Sequence, residues 1–181
     1  MANLTTYELF VGAINIPNIA PAQEDNEAFE LFITKYEAEL LSSVLGYTLA
    51  KDLQNGTTDS GVTDVNIAKI IEGADYTDRL GRANRWPGFE TVGYSATANY
   101  IYCKWLQYIA STTTSVGETK ANTSNAVSVG NGFKIASAWN DMVDWLYILD
   151  DFLIQNVADY PDYESNIVGN PLFTKDNILG I

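Results

Sequence analysis

The stretch YSATANYIYCKWLQYIASTTTSVGETKANTSNAVSVGNGFKIASAWNDMVDWLYILDDFLIQN, residues 94–156, decides the fold. Apolar side chains recur at three- and four-residue spacings in both of its ends, which is typical of amphipathic α-helices. Between the two ends lie mostly Ser, Thr, Asn, Ala and Gly, with too few large apolar side chains to bury that segment. The pattern predicts two aromatic-rich helices joined by an exposed polar arm or a long hairpin.

The second of these helices is expected to run from about Phe133 to Asn156, and it carries two separate apolar sectors. At about 100° per residue, one sector forms an ordinary core stripe. Its members are Ile135, Trp139, Met142, Val143, Leu146, Leu149 and Leu153. The other sector is narrower and holds Trp145, Ile148 and Phe152. Two interpretations of this second sector remain open. An extended terminal segment of the same chain could cover it. Alternatively, another subunit could bind there, since exposed aromatic patches commonly mark protein contacts.

Upstream of residue 94 the pattern predicts two more helices. The first starts after Glu24, ends or bends at Gly46, and is followed by a short helical turn over residues 47–54. Asp64 is expected to cap the second helix. The apolar face of the first helix consists of Phe29, Phe32, Ile33, Tyr36, Leu40, Leu41 and Val44.

The remaining segments do not show a helical period. Prolines exclude a continuous helix within residues 1–23, the glycine-rich residues 72–93 read as a loop or hairpin, and residues 158–181 read as an extended strap. We therefore expect one domain, residues 1–181, that is mainly α: a small bundle of about four to five helices with a long polar loop or β-hairpin arm and extended termini. Its parts are an N-terminal arm (1–23), a helical core (24–157) with loops at 72–93 and 112–132, and the C-terminal strap (158–181).

The amino-acid composition limits which kinds of partner the protein can bind. Ten Lys and Arg against 23 Asp and Glu give a net charge of −13, which disfavours tight binding to nucleic acid phosphates. An acidic surface keeps a protein soluble and can also line a passage through which nucleic acid slides, and composition does not separate these two uses. No apolar run approaches the roughly 18 to 20 residues that cross a bilayer, and the start MANLTTYELF lacks the features of a signal peptide. We expect a soluble protein that is made in a cytoplasm and has no membrane partner.

Residue types also limit the chemistry. The chain has no histidine, which excludes Ser-His-Asp and Cys-His catalysis and histidine metal sites. The single cysteine, Cys103, lies in an apolar helical pattern and is expected to be a small buried hydrophobe. Neither GxxxxGK[ST] nor GxGxxG occurs, and adjacent carboxylates in the helices mostly point apart. We expect no enzyme, no catalytic residue, no metal and no cofactor.

Three arginines, Arg79, Arg82 and Arg85, lie within DRLGRANRWPG, next to Trp86. Their guanidinium groups could pair with carboxylates of a neighbouring subunit, touch passing phosphates, or pair with Asp and Glu of this same chain. The candidate contact residues for a partner or second subunit are Arg79, Arg82, Arg85, Trp86, Trp145, Ile148, Phe152, Leu172 and Phe173.

Four segments in a fixed order carry a resemblance to a known family. They are FITKYEAELLSSVLGYTL, the RWPGF loop, YIYCKWLQYIASTTTSVGETKANTSNAVSV and KIASAWNDMVDWL. In this order they resemble the neck proteins of tailed bacteriophages, which are head-to-tail connector (adaptor or head-completion) proteins, notably of phages with Bacteroidetes-type hosts. The resemblance covers roughly residues 24–150, and none of its residues is a chemical signature.

The resemblance implies a mainly helical, non-catalytic virion protein at the head-tail interface. Its subunits would form a homo-oligomeric ring, commonly dodecameric in such proteins, that binds the portal and the tail or other neck proteins. Passing genomic DNA would contact it transiently and non-specifically. Two rival classes are an acidic, non-catalytic protein-binding module and a carboxylate-metal hydrolase, which would need convergent acids. A neighbouring neck or tail component, such as a stopper or tail-completion protein, is a third alternative.

Overall fold

The computed structural model describes residues 3–16, 26–58, 61–62, 64–109, 112–114, 117–119 and 132–176. These residues form four α-helices and three two-stranded antiparallel hairpins, so the prediction of a mainly α fold is confirmed. The helices are α1 (Asn26–Gly56), α2 (Val65–Glu72), α3 (Ala96–Ile109) and α4 (Gly132–Gln155). The strands are β1 (Thr57–Thr58), β2 (Gly61–Val62), β3 (Ala74–Thr77), β4 (Ala83–Trp86), β5 (Thr112–Thr114) and β6 (Gly117–Thr119).

Two residues that the sequence predicts to bend or cap a helix do so in the structure. Gly46 has φ 74° and ψ 169° within α1, a backbone conformation that favours glycine, and α1 bends there. The Asp64 carboxylate caps α2 by accepting hydrogen bonds from the backbone N–H groups of Asn66 and Ile67, at 2.7 and 3.1 Å. Both predictions are confirmed.

The two predicted loop regions contain hairpins. Strands β3 and β4 pair in antiparallel register from Ala74–Trp86 to Thr77–Ala83, which places Arg79 in the exposed turn. The polar arm begins with the β5–β6 hairpin, and residues 120–131 lie outside the described residues.

Helix α3 is the centre of the bundle, because it packs against both α1 and α4. Its first two turns are buried on every side, since the N-terminal arm also covers them. Thr97 and Asn99 are buried there together with the apolar residues. Ser95 and Thr5 complete a hydrogen-bonded polar group around Thr97, with Oγ–Oγ distances of 2.9 and 2.8 Å. Periodicity did not single out these polar residues.

Both termini fold back onto the bundle. Leu9, Phe10, Ile14 and Ile16 of the N-terminal arm are buried against α1 and α3. The strap runs back along α4, and its buried side chains are Tyr160, Tyr163, Ile167 and Phe173. The hydroxyl of Tyr163 donates to buried Asp150 at 2.5 Å, and Trp139 Nε1 donates to the carbonyl of Thr174 at 2.8 Å. The strap contains turns and a short 3-10 helix, Pro171–Phe173, and its described part ends at residue 176.

A buried carboxylate holds the N-terminal arm. Glu37 of α1 is buried, and its two oxygens accept the backbone N–H groups of Leu4 and Thr5 at 3.1 and 2.6 Å. Burial raises the pKa of Glu37, and the hydrogen bonds from Thr5 and Leu4 oppose that shift only in part. Because the pKa in the folded state lies above its unfolded value, ionisation of Glu37 lowers stability as the pH rises through the folded-state pKa.

This sign gives a test with Glu37→Gln, which cannot ionise but whose amide nitrogen, a donor, would face one of the two backbone N–H donors of the arm. We expect the variant to be less stable than the wild type at pH 5 by about 1–3 kcal/mol, the cost of an unpaired buried polar group, and the difference to be smaller at pH 8, because only the wild type loses stability as the pH rises. Urea unfolding at both pH values measures the difference. If the variant loses stability relative to the wild type between pH 5 and 8, then ionised Glu37 stabilises the arm and the assignment is wrong.

Candidate protein interface

The structure separates the sequence-predicted contact residues into a buried and a surface group. Trp86 is 0% exposed, Phe152 1% and Phe173 3%. The other members, Arg79, Arg82, Arg85, Trp145, Ile148 and Leu172, retain surface to different degrees.

For the three buried aromatics, the interpretation as surface contacts is wrong. Trp86 donates its Nε1–H to the carbonyl of Ile70 at 2.8 Å and packs edge-on against Phe89. Phe152 lies between Tyr76 of β3 and Tyr160 of the strap, with ring centroids 5.5 and 5.7 Å away. Phe173 is buried in the main core cluster. The β3–β4 hairpin and the strap therefore cover part of the second apolar sector of α4.

The other part of that sector stays open. Trp145 and Ile148 are half-buried, and together with Arg85, Pro87, Thr91 and Tyr94 they line a concavity of about 350 Å³. Tyr94 is 54% exposed, and its ring centroid lies 5.9 Å from that of Trp145. Two large aromatic rings are therefore accessible to solvent beside a guanidinium group. Aromatic and arginine side chains are enriched in protein interfaces, so this combination is typical of a binding surface.

A groove continues from this concavity at Ile148. It lies between the β3–β4 hairpin and α4, measures about 700 Å³, and is called the arginine groove below. Its exposed lining includes Arg79, Leu80, Arg82 and Ile154. We call the concavity and the arginine groove together the arginine face.

The three arginines differ in their partners. Arg82 pairs with Asp78 at 2.8 Å and Arg85 pairs with Asp75 at 2.9 Å. The backbone N–H and the guanidinium of Arg82 hold the pKa of Asp78 below its usual value. Pairing with acids of the same chain is therefore confirmed for Arg82 and Arg85, whereas Arg79 makes no ion pair with a described residue.

Tyr76 fixes the hairpin to α4. Its hydroxyl donates to Asp151 Oδ2 at 3.0 Å and accepts from Asn84 Nδ2 at 3.1 Å. Burial, and then the hydrogen bond to Asp151, raise the pKa of Tyr76. The hydroxyl is therefore neutral at physiological pH, and the hydrogen bonds give the arginine groove one rigid wall.

Two observations on the described residues concern metal and thiol chemistry. Among them, no group of three or more His, Cys, Asp or Glu side chains could hold a metal ion. The Cys103 thiol is buried, donates to the carbonyl of Ile135 at 3.4 Å, and has its pKa raised to about 12 by burial. A thiol in that state is inert, and the prediction that Cys103 is a small buried hydrophobe is confirmed.

Sequence reasoning missed four exposed apolar or aromatic residues of the arginine face: Leu80, Tyr94, Tyr147 and Ile154. Only Leu80 could have been found from the sequence, because it is an apolar residue that lies between two arginines in a glycine-containing turn. Tyr94, Tyr147 and Ile154 carry no such signal, because their exposure depends on where the hairpin packs.

The arginine face offers a stability test. Because Tyr94 is largely exposed, we expect Tyr94→Ala to reduce the free energy of unfolding by less than about 1 kcal/mol, as surface substitutions do. Trp145→Ala removes a half-buried ring and should cost no more than about 2 kcal/mol. Chemical denaturation measures both losses, and a Tyr94→Ala loss of 3 kcal/mol or more would show that this ring belongs to the core.

None of the described helices has the length and apolarity that a membrane-spanning helix needs. No protein family, curated protein or solved structure matches this chain.

Proposed function

We propose that this chain is a structural virion protein of a tailed-bacteriophage neck, a subunit of the ring that joins the portal to the tail and lines the DNA exit channel. The proposal starts from the resemblance of residues 24–150 to neck proteins. The observation that carries it is the arginine face, where Tyr94, Trp145 and Ile148 remain accessible beside guanidinium groups in a folded subunit.

Part of the apolar surface of the subunit is left uncovered by its own chain. A helical subunit of this size does not need accessible aromatic rings beside its last helix, because the core stripe of α4 already buries five residues: Met142, Val143, Leu146, Leu149 and Leu153. Exposed aromatic and arginine side chains supply much of the binding energy when another protein covers them. The arginine face therefore suits a lasting contact with a protein partner.

The charge supports the location at a DNA channel. A net charge of −13 means that most of the surface repels phosphate groups. Protein lining of this kind lets DNA pass without retaining it. On the arginine face, Arg82 and Arg85 are already paired with Asp78 and Asp75, so these cations do not form a free patch that would retain phosphate groups.

Two measurements test the proposal. We expect mass spectrometry of purified virions to detect this chain, and native mass measurement of the purified protein mixed with portal to give a complex. Absence from virions together with no binding to portal would contradict the proposed function.

A second candidate function, an acidic non-catalytic protein-binding module, has one observation in its favour. The subunit buries Trp86, Phe152 and Phe173 with its own hairpin and strap, so it does not depend on a partner to fold its core. Such a module would stay monomeric at all concentrations and would be absent from virions. The same two measurements therefore distinguish the candidates.

A further inference from the structure

The strap runs antiparallel to α4, and its last described contacts give its direction and its rate of advance. The hydroxyl of Tyr147 donates to the carbonyl of Phe173 at 3.0 Å. Nearer the start of α4, the side-chain amide of Asn140 binds the backbone of Asp176 in both directions, at 2.7 and 2.9 Å. From residue 173 to 176 the strap therefore passes helix residues 147 to 140, about 10.5 Å of helix axis. An extended chain spans about 3.3–3.6 Å per residue, so this part of the strap is fully extended.

The side chains of this part of the strap alternate between α4 and solvent. The backbone of Thr174 is extended, with φ −98° and ψ 145°. Phe173 is 3% exposed, and Lys175 binds Asp144 of α4 at 2.5 Å, so the odd-numbered side chains face the helix. Successive side chains of an extended chain point to opposite sides. A strap that continues in the same way turns residues 177, 179 and 181 toward α4.

The row of α4 residues that the strap follows ends in an exposed phenylalanine. Tyr147, Asn140 and Phe133 are seven residues apart, close to two helical turns, and so lie on one face of α4. Phe133 is 68% exposed. At the rate of the described strap, three residues beyond Asp176 bring the chain level with Phe133. The residue at that place in the sequence is Leu179.

The sequence supplies apolar side chains where this row needs them. Residues 177–181, which lie outside the described residues, read Asn-Ile-Leu-Gly-Ile. Packing an aliphatic side chain on a phenylalanine ring removes apolar surface of both from water, which is favourable. A second copy could offer the same residues, but a segment joined to this subunit by a short linker has an effective concentration of about millimolar. The segment of the same chain is therefore the favoured occupant.

We propose that residues 177–181 continue the strap along α4 of the same subunit, with Leu179 packed on Phe133. This contact lies within one subunit and does not depend on the proposed function. It also has a consequence for the polar arm, which joins α4 at Gly132, next to Phe133. The segment that covers Phe133 holds the base of that arm.

Disulfide trapping in the full-length protein tests the contact. Phe133→Cys combined with Leu179→Cys brings two thiols together, and oxidation with diamide should give an intramolecular disulfide that runs as a monomer on a non-reducing gel. We expect this pair to form at least about fivefold faster than Phe133→Cys with Ile178→Cys, since a disulfide needs side chains that point toward each other. Native Cys103 can stay in place, because its thiol is buried and its pKa is raised to about 12.

A second control and a measurement without cysteines keep the result specific. Lys134→Cys is also exposed but points about 100° away around α4, so with Leu179→Cys it should form a disulfide slowly. Deleting residues 177–181 should raise hydroxyl-radical labelling of Phe133 about twofold or more, because it returns ring surface to water. Labelling of Tyr47, which is 76% exposed, should not change. Circular dichroism verifies that the variants fold.

Three outcomes would overturn the inference. Equal rates for Leu179→Cys and Ile178→Cys would show that the segment does not pack in register on α4. Disulfide-linked dimers in place of monomers would assign the contact to a second copy. Unchanged labelling of Phe133 after the deletion would show that residues 177–181 do not cover it. None of these results involves portal or virions, so failure of this contact and failure of the proposed function are distinguishable.

Discussion

Trp86→Ala is expected to reduce the free energy of unfolding by about 3–5 kcal/mol, the usual loss for a large aromatic residue in a core. Trp86 is fully buried at the end of β4, where its ring packs against Phe89 and its Nε1–H donates to the carbonyl of Ile70. Removing the ring leaves a cavity and an unpaired buried carbonyl. Because this residue joins the hairpin to α2, its loss should also release the arginines from their positions.

Denaturant unfolding followed by circular dichroism measures the loss. Trp86→Phe is the matched variant, since it keeps an aromatic ring and removes only the hydrogen bond and part of the volume, so it should lose clearly less than Trp86→Ala. Trp145→Ala removes the same side chain at a half-buried position and should lose least. Equal losses in Trp86→Ala and Trp145→Ala would contradict the assignment of one tryptophan to the core and the other to the surface.

Gly88→Ala is expected to destabilise the protein by about 3 kcal/mol or more, through overpacking and backbone strain together. Gly88 has φ +96°, and a Cβ atom there would lie 2.5 Å from the carbonyl oxygen of Ile71 and 2.5 Å from the carbonyl carbon of Glu72. These are backbone atoms at the end of α2, so the chain after β4 would have to move away from α2. The arginine face would then lose its hairpin wall.

Gly93→Ala is the control for the backbone conformation alone. Gly93 has φ +82°, and a Cβ atom there would meet nothing within 4 Å. Its substitution should therefore cost only about 1–2 kcal/mol. Thermal unfolding compares the two variants, and a Gly88→Ala midpoint no lower than that of Gly93→Ala would show that the close approach of α2 and residue 88 is absent.

The helices could be predicted because their signals are local. The three- and four-residue spacing in residues 94–156 gives α3 and α4, and the cap at Asp64 and the bend at Gly46 depend on neighbouring backbone atoms. These features need no knowledge of what packs against the helix.

The candidate interface could be predicted only in part, because burial depends on residues that are distant in the chain. Trp145, Ile148 and Phe152 share one sector of α4, yet Tyr76 and Tyr160 cover Phe152 and leave Trp145 half-buried. Periodicity places side chains on a helix face but does not reveal which hairpin or strap covers that face.

The ion-pair partners of the three arginines could not be predicted from the sequence either. Their spacing in the sequence does not distinguish Arg82, which Asp78 binds in the β3–β4 turn, from Arg79, which has no described ion-pair partner. The geometry of the turn decides this, since the Asp78 carboxylate also accepts the backbone N–H groups of Leu80 and Arg82. Leu80 and Arg79 are left facing outward as a result.

Hydroxyl-radical footprinting of the chain, free in solution and within purified virions, tests most directly whether a partner covers the arginine face. We expect Leu80, Tyr94 and Trp145 to be labelled readily in the free subunit and several-fold less in virions, while Tyr47, which is exposed and lies outside the arginine face, is labelled equally in both. Equal labelling of Leu80, Tyr94 and Trp145 in the two states would contradict the account.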